Sequence, residues 1–226
     1  DLVLERKIIH VIGTGTIGEP LIGLLSDYRE KLGIDEITFH KKSPSRNDRS
    51  VVFDLLNRGA RLAVDYGKEN EFKKLGMDPD LEASESIRRA SVVIDCTPNG
   101  IGHENKAKFY NNFSQNVRGF IAQGSEENFG KKYAHGINDQ TLSPKDKFIQ
   151  IVSCNTHNIA CVTKTIALDD DPNNLIEGKY VCIRRANDIS QTDNFIPSPQ
   201  VSIHDCSNNG SHHARDAVSL FSTLGQ

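Results

Sequence analysis

The sequence has no long hydrophobic run. Its longest apolar stretches, Ile8-Ile9-His10-Val11-Ile12 and Val92-Val93-Ile94, are strand-sized, far short of the roughly 20 residues a membrane helix needs. It also lacks an excess of charge of either sign. Lys and Arg total 27 against 30 Asp and Glu, giving a net charge of -3, and the pI is near 6.3. No global field gathers nucleic-acid phosphates, so neither nucleic acid nor a membrane is an expected partner. There is no CxxC pair among the five cysteines, which argues against a disulfide framework or a zinc knuckle and for a reducing, cytoplasmic setting. Internal repeats and low-complexity tracts are absent too. Charged Asp1, Glu5, Arg6 and Lys7 lead directly into the first apolar run, leaving no apolar core for a secretion signal.

What is present reads as an α/β protein. The 226 residues carry 37% hydrophobic and 25% charged side chains, and the mean hydropathy of -0.46 suits a globular chain with a real core. Residues 7–12 form a short β-branched run cut off by Gly13, and residues 16–29 then repeat apolar positions at helical spacing. Residues 34–40 predict a second strand. The spacing of Val52, Leu55, Leu56, Ala60 and Leu62 predicts a helix over 51–64. A helix is expected over 82–90, with strands at 92–96, 119–123 and 148–152 and a helix beginning near Asn155. Strands and helices alternating through short loops predict a Rossmann-type doubly wound parallel sheet over residues 1–153. Beyond the polar loop 169–174, a strand is expected at 179–184 and extended chain at 196–203. Residues 154–226 thus read as part of an α+β domain with a mixed sheet.

Three places carry chemistry. Gly13-Thr14-Gly15-Thr16-Ile17-Gly18 is a G-x-G-x-x-G turn between a strand and a helix, where glycines admit a pyrophosphate to the helix N-terminus. His40, Lys41 and Lys42 stand at the end of the second strand, with Arg46 close by, where a carboxylate would hold the ribose of NAD. Cations there favour the 2′-phosphate of NADP, with NAD as the alternative. Ser153-Cys154-Asn155-Thr156 lies where a strand gives way to a helix, a position that stabilises a thiolate. Cys154 is the candidate nucleophile for an aldehyde. By contrast, Cys96, Cys161 and Cys182 sit in apolar patterns and read as packing residues. Arg184-Arg185 and Ser211-His212-His213-Ala214-Arg215 offer cations and donors to an anionic substrate, and no third ligand at a metal spacing accompanies the His pair.

The glycine turn, S-C-N-T, R-R and S-H-H, in that order, resemble the archaeal-type glyceraldehyde-3-phosphate dehydrogenases. Supporting stretches are residues 60–64, the strand 92–95 with its proline turn and Ile101-Gly102, the Gln123-Gly124 turn, and Ile196-Pro197-Ser198-Pro199. The resemblance implies oxidation of glyceraldehyde 3-phosphate to 1,3-bisphosphoglycerate with NADP or NAD and inorganic phosphate, in glycolysis or gluconeogenesis, by a homotetramer. It implies Cys154 as nucleophile and Ser153, Asn155, His212 and His213 as substrate contacts. Cofactor contacts would be Gly13, Gly15, Thr16, Ile17, Gly18, His40, Lys41, Lys42, Thr97, Gly124, Ser125 and Arg184. Ser125 replaces a family glycine and His40 a family threonine. Between Val64 and Glu71 the family has an apolar strand for which this sequence shows no counterpart. Family members continue well past the position of His213, so the general-base histidine is expected outside this sequence, which reads as shortened or joined across omitted residues. Two other readings are an acyl-phosphate reductase of the aspartate-semialdehyde dehydrogenase kind and a non-catalytic NAD(P)-binding module.

Overall fold

The computed structural model describes residues 6–124, 126, 128–169, 171–182 and 211–221. They fall into two compact units, Asp1–Gly130 with Lys145–Ile149, and Lys131–Pro144 with Gln150–Gln226.

The first unit alternates strands and helices. In chain order it runs β1 (Ile8–Ile12), α1 (Gly18–Asp27), β2 (Glu36–His40), α2 (Arg49–Asn57), β3 (Arg61–Val64), α3 (Glu69–Lys73), β4 (Leu81–Glu82), α4 (Ala83–Arg89) and β5 (Val92–Asp95). Then follow α5 (Ile101–Asn105), a π-helical turn at Lys106–Tyr110, α6 (Asn111–Phe113) and β6 (Gly119–Gln123). The strands lie in the order β4-β3-β2-β1-β5-β6, and every one of these neighbours pairs in parallel. The chain builds outward from β1 to β4, then returns to the other side of β1 for β5. This is a doubly wound sheet of the Rossmann kind, with its topological switch point between β1 and β5.

Alternation along the strands sends successive side chains to opposite faces. Val11 joins Ile37, Phe39 and Leu62 in a core closed by Ile22 of α1, Val52 and Leu55 of α2 and Phe72 of α3. Ile12 points the other way, into a core of Val93, Phe120 and Ala122 closed by Ile87 of α4 and Tyr110. Aromatic rings extend this second core: Tyr110 stacks on Phe120 and Phe120 on Phe148, both with centroids 5.0 Å apart. Phe148 opens β8 (Phe148–Ile151), and the N–H of Phe120 donates to the Lys147 carbonyl at 2.8 Å.

The helix expected over 51–64 is two elements. α2 ends at Asn57, and Gly59, at φ +90, turns the chain into β3. Leu62 and Val64 are core residues of a buried parallel strand, whose apolar run over four residues mimics a continued helical pattern.

In the second unit, β7 (Lys131–Tyr133) lies beside the end of β8, where the N–H of Val152 donates to the Tyr133 carbonyl at 3.1 Å. α7 (Cys154–Thr163) and α8 (His212–Val218) pack together. Ala134, Ile137, Val152, Ala160 and Leu220 form their core. The buried Asp216 of α8 takes an ion pair from Lys132 of β7. The strand expected over 179–184 is absent from its described part, since residues 179–182 have no regular structure. Residues 196–203 lie outside the described residues. No helix among the described residues is long and apolar enough to cross a membrane.

His10 is fully buried in the middle of β1. Its Nδ1 lies 2.7 Å from the Thr38 hydroxyl on β2, while Nε2 has no hydrogen-bond partner. Burial, with a smaller push from His40, lowers its pKa from 6.5 to about 3. In acid the unfolded chain therefore takes up a proton at His10 that the folded chain refuses. Stability should fall as pH drops from about 6.5 toward about 3, at about 1.4 kcal/mol per pH unit for one such group. His10→Gln keeps a polar partner for Thr38 and removes the titration. Urea unfolding followed from pH 6 to pH 4 should show a shallower loss of stability in this variant than in wild type. Equal slopes would mean that His10 is protonated in the folded state.

Candidate functional site

The carboxyl ends of β1, β5 and β6 lie side by side, because Ile12 pairs with Asp95 and Asp95 with Ala122. Gly13 leaves β1 at φ +96, a left-handed conformation that suits glycine, and a Cβ there would stand 3.0 Å from the carbonyl carbon and oxygen of Cys96. A Cβ on Gly18 would fall 1.8 Å from the Gly13 carbonyl oxygen, so the start of α1 is pressed onto the turn. Gly15 differs, since a Cβ there meets nothing within 4 Å. Its backbone faces open space, and Thr16 and Ile17 beside it are exposed. Ile17 occupies the N-cap of α1 and makes no side-chain capping hydrogen bond. Within the first turn the Glu19 N–H already donates to the Gly15 carbonyl at 3.0 Å and Pro20 has no N–H, so what the start of α1 offers an anion is chiefly the positive end of the helix. Two tight glycines, one open one and an uncapped helix make a cradle that fits a pyrophosphate.

Beside this turn, at the end of β2, most of the cations are engaged. The Lys41 ammonium pairs with Asp48 at 2.7 Å and donates to the Thr14 hydroxyl at 3.3 Å, tying the glycine turn to the loop before α2. His40 Nε2 is 2.9 Å from Asp65 at the end of β3. Burial pushes the His40 pKa below its ordinary value against the opposing pull of Asp65, so at neutral pH the ring is uncharged and donates from Nε2. Lys42 is exposed.

Under the turn, the buried carboxylate of Asp95 organises the loop after β5. One oxygen accepts from the Thr97 N–H at 2.9 Å and from the Thr97 hydroxyl. The other accepts from the Asn105 amide at 2.9 Å and from the Tyr110 hydroxyl. Thr97 is in this way fixed at the switch point. Burial, with Asp95 adding to it, pushes the Cys96 thiol up to about 12, which makes it a packing group at neutral pH. The buried Glu126 accepts from the N–H groups of Gly102 and His103 at 3.2 and 3.1 Å and so satisfies the start of α5. Gly124 follows β6 at φ +76.

In the second unit Ser153 caps α7, its hydroxyl oxygen accepting from the Thr156 N–H at 3.3 Å. Cys154 is the first helical residue and is exposed, and Asn155 is half-buried. The helix buries Thr156, Ala160 and Thr163, which leaves Cys154 and Cys161 facing out. The packing role expected for Cys161 and Cys182 is corrected accordingly: both are exposed, and Cys96 alone of the three is buried. His212 and His213 open α8 with ring centroids 3.9 Å apart. Ser125 and Arg184, along with Arg185, lie outside the described residues.

The structure thus brings Gly13, Gly15, Thr16, Ile17, Gly18, His40, Lys41, Thr97 and Gly124 to one edge of the first unit. Sequence reasoning missed Asp48, Asp65, Asp95 and Glu126. Asp95 carried a signal, as a charged residue closing an apolar strand. Asp48 and Asp65 did not, because their roles depend on loops meeting across the sheet edge.

No family model matches the chain. Among curated proteins, the glyceraldehyde-3-phosphate dehydrogenase of Pyrobaculum arsenaticum is 31% identical over 164 residues, which is 71% of this chain and 44% of the relative. That of Methanobacterium formicicum is 26% identical over 226 residues, covering 96% of this chain and 61% of the relative. The protein of the same name from Saccharolobus islandicus is 25% identical over 227 residues, 96% of this chain and 59% of the relative. The chain resembles archaeal glyceraldehyde-3-phosphate dehydrogenases. It spans about half the length of these relatives.

The glycine geometry separates folding from binding. Gly18→Ala should destabilise the protein by about 1–3 kcal/mol, the range for overpacking, whereas Gly15→Ala should leave the midpoint of thermal unfolding within a degree or two of wild type. Equal midpoints for the two variants would mean that the Gly13–Gly18 contact does not constrain the turn.

Proposed function

We propose that the chain carries the cofactor-binding sheet and the nucleophile of a phosphorylating glyceraldehyde-3-phosphate dehydrogenase. It would use NADP or NAD and act in the cytoplasm as a homotetramer. The observation that carries this reading is the exposed Cys154 at the first position of a ten-residue helix capped by Ser153, in a chain that also holds the open glycine cradle. The helix N-terminus sets backbone donors and the positive end of the helix dipole beside the attacking sulfur.

The Cys154 thiolate adds to the aldehyde carbon and gives a hemithioacetal, whose hydroxyl proton passes to a base. A nicotinamide dinucleotide, when bound, would supply the two-electron acceptor for this oxidation, whose product is an acyl thioester on Cys154. Inorganic phosphate attacks the acyl carbon and releases the thiolate with the acyl phosphate. Ser153 and Asn155 flank the nucleophile, while His212 and His213 hold the substrate phosphate. In the first unit, Gly15, Thr16 and Ile17 hold the cofactor's pyrophosphate, and Gly13 and Gly18 shape the turn. Thr97 and Gly124, with Ser125 and Arg184, complete the cofactor contacts. Lys42 is the exposed cation for a 2′-phosphate, while His40 and Lys41 support it through Asp65 and Asp48.

The test follows the absorbance of the reduced nicotinamide with glyceraldehyde 3-phosphate, phosphate and NADP or NAD, in wild type and Cys154→Ser. Wild type should reduce the cofactor, and the variant should lose turnover by at least 10³-fold while still binding the dinucleotide. Turnover that survives the substitution would overturn the thioester route. Binding without turnover in a folded wild type would instead make the chain an NAD(P)-binding module.

A further inference from the structure

The end of the sheet away from the glycine turn holds a second, unassigned concentration of positive charge. Glu36, the first residue of β2, is buried and meets three guanidinium groups. Arg61 lies 3.0 Å away, and Arg89 and Arg6 each 3.1 Å. Arg61 also has Asp80 at 3.6 Å. The neighbouring Arg88, exposed at the end of α4, has no hydrogen bond or ion pair among the described residues, even with Glu85 one turn earlier. Among the described residues, three guanidinium groups thus meet Glu36 and Asp80 and Arg88 adds a fourth, so this cluster holds two more positive than negative charges.

The excess borders a cavity of about 260 Å³ lined by Arg6, Arg88, Arg89, Ser91 and Asn116. The Ser91 hydroxyl is committed, donating to the Arg6 carbonyl at 3.0 Å and accepting from the Ile8 N–H at 3.2 Å, and this joins the starts of β1 and β5 as the cavity floor. The carbonyl end of α4 points here as well, but a helix terminus supplies only about half a negative charge, too little to offset the guanidinium groups. Glu36 engages a single nitrogen of Arg6 and of Arg89, which leaves further N–H donors on both. A guanidinium fork matches phosphate oxygens.

We propose that this cavity binds a phosphate dianion, either free or as part of a diphosphate, held by Arg6, Arg88 and Arg89 with the Asn116 amide as a neutral donor. Glu36 acts as a positioning residue that keeps Arg6 and Arg89 apart and oriented. The site lies at the amino-terminal edge of the sheet, opposite the glycine cradle, and is independent of the cofactor reading.

The test is calorimetric titration of the intact chain with inorganic pyrophosphate, and separately with inorganic phosphate to distinguish the two sources. Arg88→Gln should weaken binding of at least one of them by about tenfold, the equivalent of about 1.4 kcal/mol, and Arg6→Gln/Arg88→Gln should remove one binding event per chain. Lys31→Gln, which alters an exposed cation elsewhere in the same unit, controls for net charge. Affinities for both anions unchanged by Arg88→Gln would overturn the proposal, as would an equal loss in Lys31→Gln. Arg88 is exposed and has no partner among the described residues, so its variant is expected to fold even if removing Arg6 from Glu36 disturbs the sheet. Raised salt should weaken the binding, whereas a salt-independent affinity would also overturn it.

Discussion

The pairing of β1 with β5 is the constraint on which the candidate site depends. These strands are adjacent in space but far apart in sequence, and their parallel register sets Ile12 opposite Asp95. The residue after each strand end then has to share a narrow space. Gly13 meets the Cys96 backbone so closely that a Cβ there would be tighter than almost all side-chain contacts, and Gly18 closes on Gly13 from the helix side at a distance that excludes a Cβ. Asp95, buried directly below, has its oxygens filled by Thr97, Asn105 and Tyr110. A carboxylate with this many donors stays in place without a cationic partner. The glycine cradle is therefore shaped by the sheet itself, in line with the rule that ligands sit at the switch point of an open α/β sheet.

Much of the first unit was legible because periodicity and glycine punctuation agree there. The run over 7–12, the glycine turn, the strand over 119–123 and the helix over 82–90 emerge within a residue or two of expectation. The reading failed at residues 51–64, where a four-residue buried strand follows a helix after only a glycine turn. Leu62 and Val64 there continue the helical count by coincidence. It failed also for Cys161, since a thiol within an apolar pattern does not reveal which side of a helix it occupies until Thr156, Ala160 and Thr163 are known to face inward.

Charge was the least legible property. Lys41 looked free in sequence, yet Asp48, seven residues later, neutralises it. His40 looked like a cation, and burial beside Asp65 leaves it neutral. The three arginines that converge on Glu36 come from three separate segments, and no local pattern joins them. Ion pairs across a sheet edge depend on strand order, which no window of sequence contains.

Cys154 and Cys161 share the outer face of α7 two turns apart. Seven residues at the helical rise separate them by about 10 Å, beyond the about 7 Å between Cα atoms that a disulfide tolerates. Oxidation of Cys154 to a sulfenic acid thus has no resolving thiol at Cys161 on its own helix, and Cys96 is buried in the other unit. Reversal at that position needs a thiol from outside α7, such as a small external one, and without it the sulfur is open to the irreversible higher acids.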